Sequence, residues 1–188
     1  VEIITESWLE EMLQLCQQKD VGMVGAKLYY PDDTIQHAGV VVGLGGVAAH
    51  VLCKLPRDAE GYMGRLRCVQ EISAVTAACM MVKTSVFKAV GGFDEELKVA
   101  FNDIDLCMKV RKYGVKIVFT PYAELYHYES KSRGMEDTPE KQLRFSREVN
   151  CFRRKWEREL LKGDPYYNPN LTLNNTDCSL RKQEKNGD

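Results

Sequence analysis

Two aspartates near the middle of the sequence are candidates for acid–base chemistry. Asn102-Asp103 opens a predicted helix whose first turn also holds Asp105. Residues two apart on a helix point about 200° from each other, so the two carboxylates cannot serve one purpose. Asp105 stands where it can cap the helix by accepting the backbone N–H of Asn102. Asp103 can point outward into a cleft and accept a proton from a hydroxyl group, as a general base does.

Each candidate residue also has a plain structural interpretation. Short acidic side chains are common in the first turn of a helix, where they cap N–H groups and complement the dipole. Helix statistics alone therefore favour two capping carboxylates. His127 ends a predicted strand, and an isolated histidine there is most often a hydrogen-bonded surface residue. The residue types alone therefore do not distinguish a catalytic from a structural role, and the surrounding motifs are needed for that choice.

The elements that must position these residues alternate between helices and strands, as in an α/β domain. Ser7 and Glu10 form a capping box, which predicts an amphipathic helix from Trp8. Gly91-Gly92 and Gly114 each end a predicted helix. Predicted strands cover residues 21–28, 35–42, 69–72, 74–82, 115–119 and 122–126, and predicted helices cover residues 85–90, 103–113 and 139–161. The small apolar residues of 74–82 are typical of a central strand.

Composition and charge narrow the class of protein. The chain has 188 residues, 44% of them hydrophobic and 28% charged, which is typical of one globular domain. No apolar run reaches the ~18 residues that a membrane span needs. The 26 Lys and Arg against 27 Asp and Glu give a net charge of −1, which argues against a nucleic-acid partner. Cysteines without a C-x-x-C pair, and no signal peptide at Val1, predict a cytoplasmic protein with reduced thiols.

Two other classes of protein compete with an enzyme that uses Asp103. Gly43, Gly45 and Ala48 follow an apolar run with the spacing of a dinucleotide-binding loop. Pro56 would end a helix after that loop within about eight residues, which is short for a crossover helix. The arginine-rich last helix suggests a non-catalytic binding module for an acidic partner or anionic lipid. Its interleaved glutamates fit a solvated face equally well.

The order of motifs along the chain resembles the family-2 glycosyltransferases, which have a GT-A fold. The motifs are Gly-Gly-Phe-Asp-Glu at residues 91–95, an acidic pair at 102–103, Asp-Leu-Cys at 105–107, Gly114, Pro121 and His127. In these enzymes the pair is usually Glu-Asp, and its Asp deprotonates the sugar acceptor. Asn102 replaces the Glu, and Asp103 is retained. The resemblance implies an inverting sugar transfer with Asp103 as general base and Asn102 beside the acceptor. It implies structural roles for Gly91, Gly92 and Asp105.

Further segments resemble family members that act on bacterial surface polysaccharides. They are residues 24–31 and residues 35–39. The resemblance implies a nucleotide-sugar donor and a saccharide or lipid-linked acceptor, with His37 facing the acceptor. A lipid-linked acceptor would bring the protein to the inner face of the membrane, as a peripheral protein.

The resemblance also predicts how the chain is organised. Residues 6–12 resemble the helix that follows the metal-binding Asp-x-Asp of the family, so that motif and the nucleotide-binding half would precede Val1. This implies a partial GT-A fold, a Rossmann-like mixed sheet with flanking helices. Residues 1–163 would form its acceptor-side part, and residues 164–188 a polar extended tail. We expect such a chain to be inactive alone and to self-associate through an exposed apolar face.

The segment that follows His127 completes the implied site. In some family members the histidine at this position completes a site for Mn or Mg, using a neutral imidazole. One histidine binds such a cation weakly, so tight binding by this chain alone is not expected. The next loop contains Ser130 and Arg133 and resembles a lid that closes over the diphosphate. An ordinary solvated loop is the alternative.

Overall fold

The computed structural model describes residues 1–128 and 138–182, which form a mixed α/β domain. The strands are β1 (Glu2–Ile3), β2 (Val21–Tyr29), β3 (Ile35–His37), β4 (Val40–Val42), β5 (Ala48–His50), β6 (Gln70–Glu71), β7 (Met80–Val82) and β8 (Lys116–Tyr126). The helices are α1 (Trp8–Cys16), α2 (Thr84–Ala89), α3 (Asn102–Lys112), α4 (Pro139–Lys155) and α5 (Glu157–Lys162). The α/β fold class expected from the sequence is confirmed.

A six-stranded mixed sheet forms the centre of the domain. Its main order is β1-β8-β2-β3, and β6 and β7 pair with β8 and β2, respectively. β2 and β8 run parallel, whereas the other pairs in this sheet are antiparallel. Strands β4 and β5 form a separate antiparallel hairpin. Because β2 and β8 end at the same edge, residues that follow them come together there.

The central strand β2 is buried at every position. Its apolar residues contribute to two clusters: α1 packs on one face through Met12 and Cys16, and the larger core lies on the other face. Burial on both faces explains why β2 is almost continuously apolar instead of alternating with polar residues. The strand predicted over residues 21–28 is therefore confirmed.

Gly25 lies where β2 passes closest to the segment before β7. A Cβ at Gly25 would lie 2.3 Å from the Val75 Cγ1 atom. We predict that Gly25→Ala lowers the free energy of unfolding by about 1–3 kcal/mol, because Val75 must move. Adding Val75→Ala should recover part of that loss. Urea unfolding of the two variants measures both effects, and an unchanged midpoint in Gly25→Ala would contradict this packing.

Several predicted elements differ from those observed. The strand expected over residues 35–42 breaks into β3 and β4, because Gly39 adopts a positive φ of 103°. Of the run 74–82, only Met80–Val82 forms a strand. The two short strands expected around Pro121 form one strand, β8, with an irregular register there. The last helix is interrupted at Trp156, which separates α4 from α5.

The loop that contains Gly43 and Gly45 does not have the structure of a dinucleotide-binding loop. Residues 43–47 connect β4 to β5 through a short 3-10 turn, Leu44–Gly46. A dinucleotide-binding loop must instead lead from a strand into a helix, whose N-terminus binds the pyrophosphate. The same spacing of glycines here makes the turn of a hairpin.

The segment after α5 packs against this hairpin. Tyr167, Leu171 and Cys178 are buried. The backbone N–H of Gly45 donates to the Leu173 carbonyl at 2.8 Å, and that of Leu52 donates to the Thr176 carbonyl at 2.6 Å. The described part of this segment, up to residue 182, thus packs against the turn of the hairpin and the residues that follow β5.

Candidate active site

A cleft of about 690 Å³ lies beside the carboxyl ends of β2 and β8. Its walls come from the start of α3, the hairpin β4–β5, the segment before β7 and the residues that follow β2 and β8. The lining includes Tyr30, Gln36, His50, Thr76, Ala77, Val99, Asn102, Asp103, His127 and Tyr128. Of the predicted site residues, Asn102, Asp103 and His127 therefore share one cleft.

The Asp103 carboxylate is held in a defined orientation. One oxygen accepts the backbone N–H of Ala77 at 3.0 Å, and the other accepts the N–H of Ile104 at 2.9 Å. The Asn102 side-chain oxygen accepts the N–H of Asp103 at 2.7 Å. The carboxylate is thus fixed from two elements, the helix start and the segment before β7. Such fixed orientation is what a general base needs toward an incoming hydroxyl group.

The residue before the helix turns the chain sharply into α3. Phe101 adopts a left-handed conformation with φ of 63°, which is uncommon for a bulky residue. Its ring centroid lies 5.4 Å from that of Phe152 and 5.8 Å from that of Phe145, both on α4. Packing against α4 therefore holds the strained residue in place.

Glu148 of α4 holds the same turn, the one that leads into α3, through its backbone N–H groups. Its side chain is 3% exposed. Its two carboxylate oxygens accept the backbone N–H groups of Val99 at 3.1 Å and Ala100 at 2.8 Å. The sequence analysis missed this role, since α4 lies about 45 residues further along the chain and nothing local shows which helical face packs on the turn.

Asp105 points away from the cleft into the domain. Its side chain is fully buried and accepts the indole N–H of Trp156 at 2.8 Å. It pairs with Lys109 at 3.1 Å and with Lys155 at 2.8 Å. The expectation that Asp105 caps the Asn102 N–H is therefore wrong: its carboxylate joins α3 to α4.

The double-glycine motif contacts the same charge network, which is buried at Asp105 and partly exposed at Asp94 and Lys155. Lys155 also pairs with Asp94, and Lys109 donates to the Gly92 carbonyl at 3.0 Å. The hydrogen bond from Lys155 lowers the pKa of the Asp94 carboxyl. Burial opposes the charge on Lys155, but its bonds to Asp105 and Asp94 prevail and raise its pKa. The Gly-Gly-Phe-Asp motif and Asp105 thus belong to one cluster of contacts, which holds the start of α3 in place.

All three histidines of the chain lie at or behind the cleft. His127 lines it, and its Nδ1 atom lies 2.9 Å from the Gln36 side-chain oxygen. His37, predicted to face the acceptor, is fully buried behind the wall. Its Nδ1 atom lies 3.0 Å from Nδ1 of His50, which lines the cleft in its place. Burial, together with the nearby His50 and His127, lowers the pKa of His37 well below its usual value.

His50 lines the candidate site, although the sequence analysis predicted no role for it there. It enters the cleft because β5 folds back on β4 and pairs His50 with Val40. The only sequence signal for this pairing is the pair of apolar runs on either side of the glycine-rich residues 43–46, a pattern that equally fits a flexible loop without a hairpin.

The described residues do not form a metal site. Within residues 1–128 and 138–182, no three His, Cys, Asp or Glu side chains come together as metal ligands. Within these ranges His127 therefore does not belong to a cluster of metal ligands. The proposed diphosphate-binding residues Ser130 and Arg133 lie outside the described residues.

The fold and the site define an α/β domain with a carboxylate-bearing cleft at the carboxyl edge of its sheet. The profile of the family described as "Glycosyltransferase like family 2" matches residues 2–147. The chain belongs to this glycosyltransferase family, and the resemblance seen in the sequence is confirmed.

Curated relatives extend far beyond this chain. It is 58% identical over 181 residues to the uncharacterized protein y4gI of Sinorhizobium fredii, covering 96% of this chain and 20% of that protein. It is 39% identical over 189 residues to the O-antigen biosynthesis protein RfbC of Myxococcus xanthus, covering 100% of this chain and 14% of that protein. The chain thus spans a fifth or less of the length of these relatives.

A third relative shares a shorter segment. The N-acetylglucosaminyl-diphospho-decaprenol L-rhamnosyltransferase of Mycobacterium tuberculosis is 36% identical over 62 residues, which cover 33% of this chain and 20% of that protein. No solved structure matches the chain. Across the part of the chain that the structure describes, no helix has both the length and the apolar character needed to cross a bilayer.

Proposed function

We propose that this chain forms the acceptor-binding side of a glycosyltransferase that uses a nucleotide-sugar donor and inverts the configuration of the transferred sugar. One observation carries the proposal: the Asp103 carboxylate lines the cleft and is oriented by the Ala77 N–H at 3.0 Å. The family supports glycosyl transfer in general. The role of Asp103 as base is the part that experiment must test.

The proposed step is a single displacement at the anomeric carbon. The acceptor binds in the cleft with one hydroxyl group beside Asp103. As the hydroxyl oxygen attacks the anomeric carbon, its proton passes to the Asp103 carboxylate. The bond from that carbon to the diphosphate oxygen breaks, and the nucleoside diphosphate leaves with the electron pair. Attack from the face opposite the leaving group inverts the sugar.

Asn102 and His50 are suited to orient the acceptor. Both line the cleft with Asp103, and both side chains carry hydrogen-bonding groups that match sugar hydroxyls. Asn102 also accepts the Asp103 N–H at 2.7 Å, so its side chain is held beside the base. A sugar in the cleft would contact His50, whereas His37 lies behind His50 and would not contact the sugar.

The names of the relatives suggest which acceptors to test. One relative is named for O-antigen biosynthesis and another for transfer of rhamnose to a diphospho-decaprenol-linked sugar. We therefore infer that the acceptor of this protein is a bacterial polysaccharide or its lipid-linked precursor. A lipid-linked acceptor would place the cleft at the inner face of the membrane, with which the protein would associate peripherally.

We propose that the donor is bound mainly by residues other than those that the structure describes. The described residues supply His127 but no cluster of three metal ligands. A divalent cation of the kind the resemblance implies would therefore need ligands in addition to His127. Ser130 and Arg133 remain proposed contacts of the donor diphosphate.

A thermal-shift panel on the 188-residue chain tests whether this chain alone binds the nucleotide-sugar donor. We expect UDP, GDP, dTDP and their sugars to leave the melting temperature unchanged, with or without Mn or Mg, because ligands stabilise only the folded state that binds them. A metal-dependent shift with one nucleotide would show that the chain itself holds a donor site. A shift with NADH alone would contradict the glycosyltransferase proposal.

A further inference from the structure

Two histidines form a hydrogen-bonded pair that connects the cleft to the interior. The Nδ1 atoms of His37 and His50 lie 3.0 Å apart, with the ring planes at 78°. His37 is fully buried, whereas His50 lines the cleft. On its other edge, the Nε2 atom of His37 lies 3.5 Å from the backbone nitrogen of Thr76.

The backbone contact fixes the proton positions of both rings. A backbone N–H can only donate, so His37 Nε2 must accept from Thr76 and carry no proton. The proton of the neutral His37 ring is then on Nδ1, from which it is donated to Nδ1 of His50. Since Nδ1 of His50 accepts this hydrogen bond, Nε2 is the nitrogen of the His50 ring that carries a proton. Burial of His37, which lowers its pKa, keeps this ring uncharged.

The segment that His37 contacts is the one that orients Asp103. Thr76 precedes Ala77, whose N–H donates to the Asp103 carboxylate at 3.0 Å. One residue earlier, the Val75 N–H donates to Cys107 Sγ at 3.4 Å. Three consecutive backbone N–H groups are therefore used by three side chains, that of His37 from β3 and those of Asp103 and Cys107 from α3. This accounts for the loop conformation of a stretch whose apolar residues predict a strand.

We propose that the His37–His50 pair positions Asp103 through the backbone of Thr76 and Ala77, and that His50 offers its Nε2–H to the acceptor. His37 is then a positioning residue and His50 an acceptor-binding residue. The role of His50 rests on the proposed function, because it assumes that a sugar acceptor binds in the cleft. The link from His37 to Asp103 depends only on the contacts within the chain.

The tautomers can be measured without any substrate. Long-range ¹H–¹⁵N correlation spectra of the ¹⁵N-labelled 188-residue chain at neutral pH distinguish Nδ1-protonated, Nε2-protonated and charged rings. We expect an Nδ1-protonated His37 and an Nε2-protonated His50. A charged His37, or one protonated on Nε2, would overturn the proposal, and this test needs no mutation.

Two substitutions at His37 test the mechanical link. His37→Gln keeps an acceptor and a donor in the side chain, whereas His37→Leu removes both. We expect His37→Leu to shift the Ala77 amide resonance in the same direction as Asp103→Asn, and His37→Gln to shift it less. His127→Gln is the matched control, because His127 lines the same cleft but bonds to Gln36. Equal Ala77 shifts in all three histidine variants would overturn the link.

Kinetics of the complete enzyme separate the two roles. His37→Leu should lower kcat by about 10- to 100-fold with the acceptor KM nearly unchanged, because the base is misplaced, and His37→Gln should recover part of it. His50→Phe should mainly raise the acceptor KM, by about 3- to 10-fold, the worth of one neutral hydrogen bond. Unchanged kinetics in His37→Leu alongside an inactive Asp103→Asn would refute the positioning role alone. Full activity in Asp103→Asn would refute the proposed function instead.

Discussion

Replacing Asp103 by asparagine in the complete enzyme is expected to lower kcat by about 10²- to 10⁴-fold, the usual contribution of a general base. The asparagine has nearly the same shape, and its side-chain oxygen can still accept the Ala77 N–H that now lies 3.0 Å from the carboxylate. It cannot take the proton of the acceptor hydroxyl. The affinity for the nucleotide sugar should therefore stay nearly constant while turnover falls.

The control for this variant is Asp20→Asn. Asp20 is an exposed acid that pairs with Lys116 at 2.8 Å, beside the amino ends of β2 and β8 and away from the cleft. Initial rates over a range of acceptor concentrations, with donor affinity from equilibrium binding, measure both quantities. Turnover close to normal in Asp103→Asn would refute the assignment. An equal loss of turnover in Asp20→Asn would show that the effect is not specific to the cleft.

Replacing Asp105 by alanine is expected to lower the free energy of unfolding by about 1–3 kcal/mol, the cost of leaving a buried hydrogen-bonding group unsatisfied. The carboxylate is fully buried and pairs with two lysines from α3 and α4. Its removal leaves the buried Trp156 indole N–H without its acceptor, whereas Lys155 keeps its pair with Asp94. The loss should exceed what a surface pair gives, because the buried Trp156 indole N–H loses its acceptor and two lysines lose a buried partner.

Urea unfolding of the 188-residue chain measures this effect. The matched control is Asp20→Ala, which removes an aspartate–lysine pair of similar length at the surface, where screening by water leaves little stabilisation. A loss in Asp105→Ala no larger than that in Asp20→Ala would contradict the structural role of the buried network. Such a result would leave the proposed role of Asp103 untouched, since the two carboxylates point in different directions.

The sequence predicted those elements whose boundaries depend on local residues. Thr138 caps α4 by accepting the Lys141 N–H at 3.3 Å, and Pro139 occupies the first turn, as expected. Gly91 and Gly92, with φ of 78° and 64°, end α2 where their positive φ is needed. The capping box at Ser7 is the exception, because the Ser7 side chain makes no capping hydrogen bond although α1 follows it.

The rest of the site depends on contacts between residues distant in sequence. Residues 74–79 are apolar enough for a strand, but their N–H groups bond to His37, Cys107 and Asp103. Glu148 is one of two acids on the amphipathic helix α4, and only packing shows that it is the buried one. Local propensity carries no information on these pairings. The sequence could therefore point to Asp103 as a candidate base, which stays a prediction, whereas the residues that hold its carboxylate could not be predicted.

The most direct test of the central claim is the configuration of the product. The complete enzyme is incubated with a panel of nucleotide sugars and a lipid-linked saccharide, and the anomeric configuration of any new glycosidic bond is determined by NMR. We predict transfer from one donor, with inverted configuration, and no product from Asp103→Asn in the same time. A product with retained configuration, or equal product from Asp103→Asn, would contradict a single displacement with Asp103 as the base.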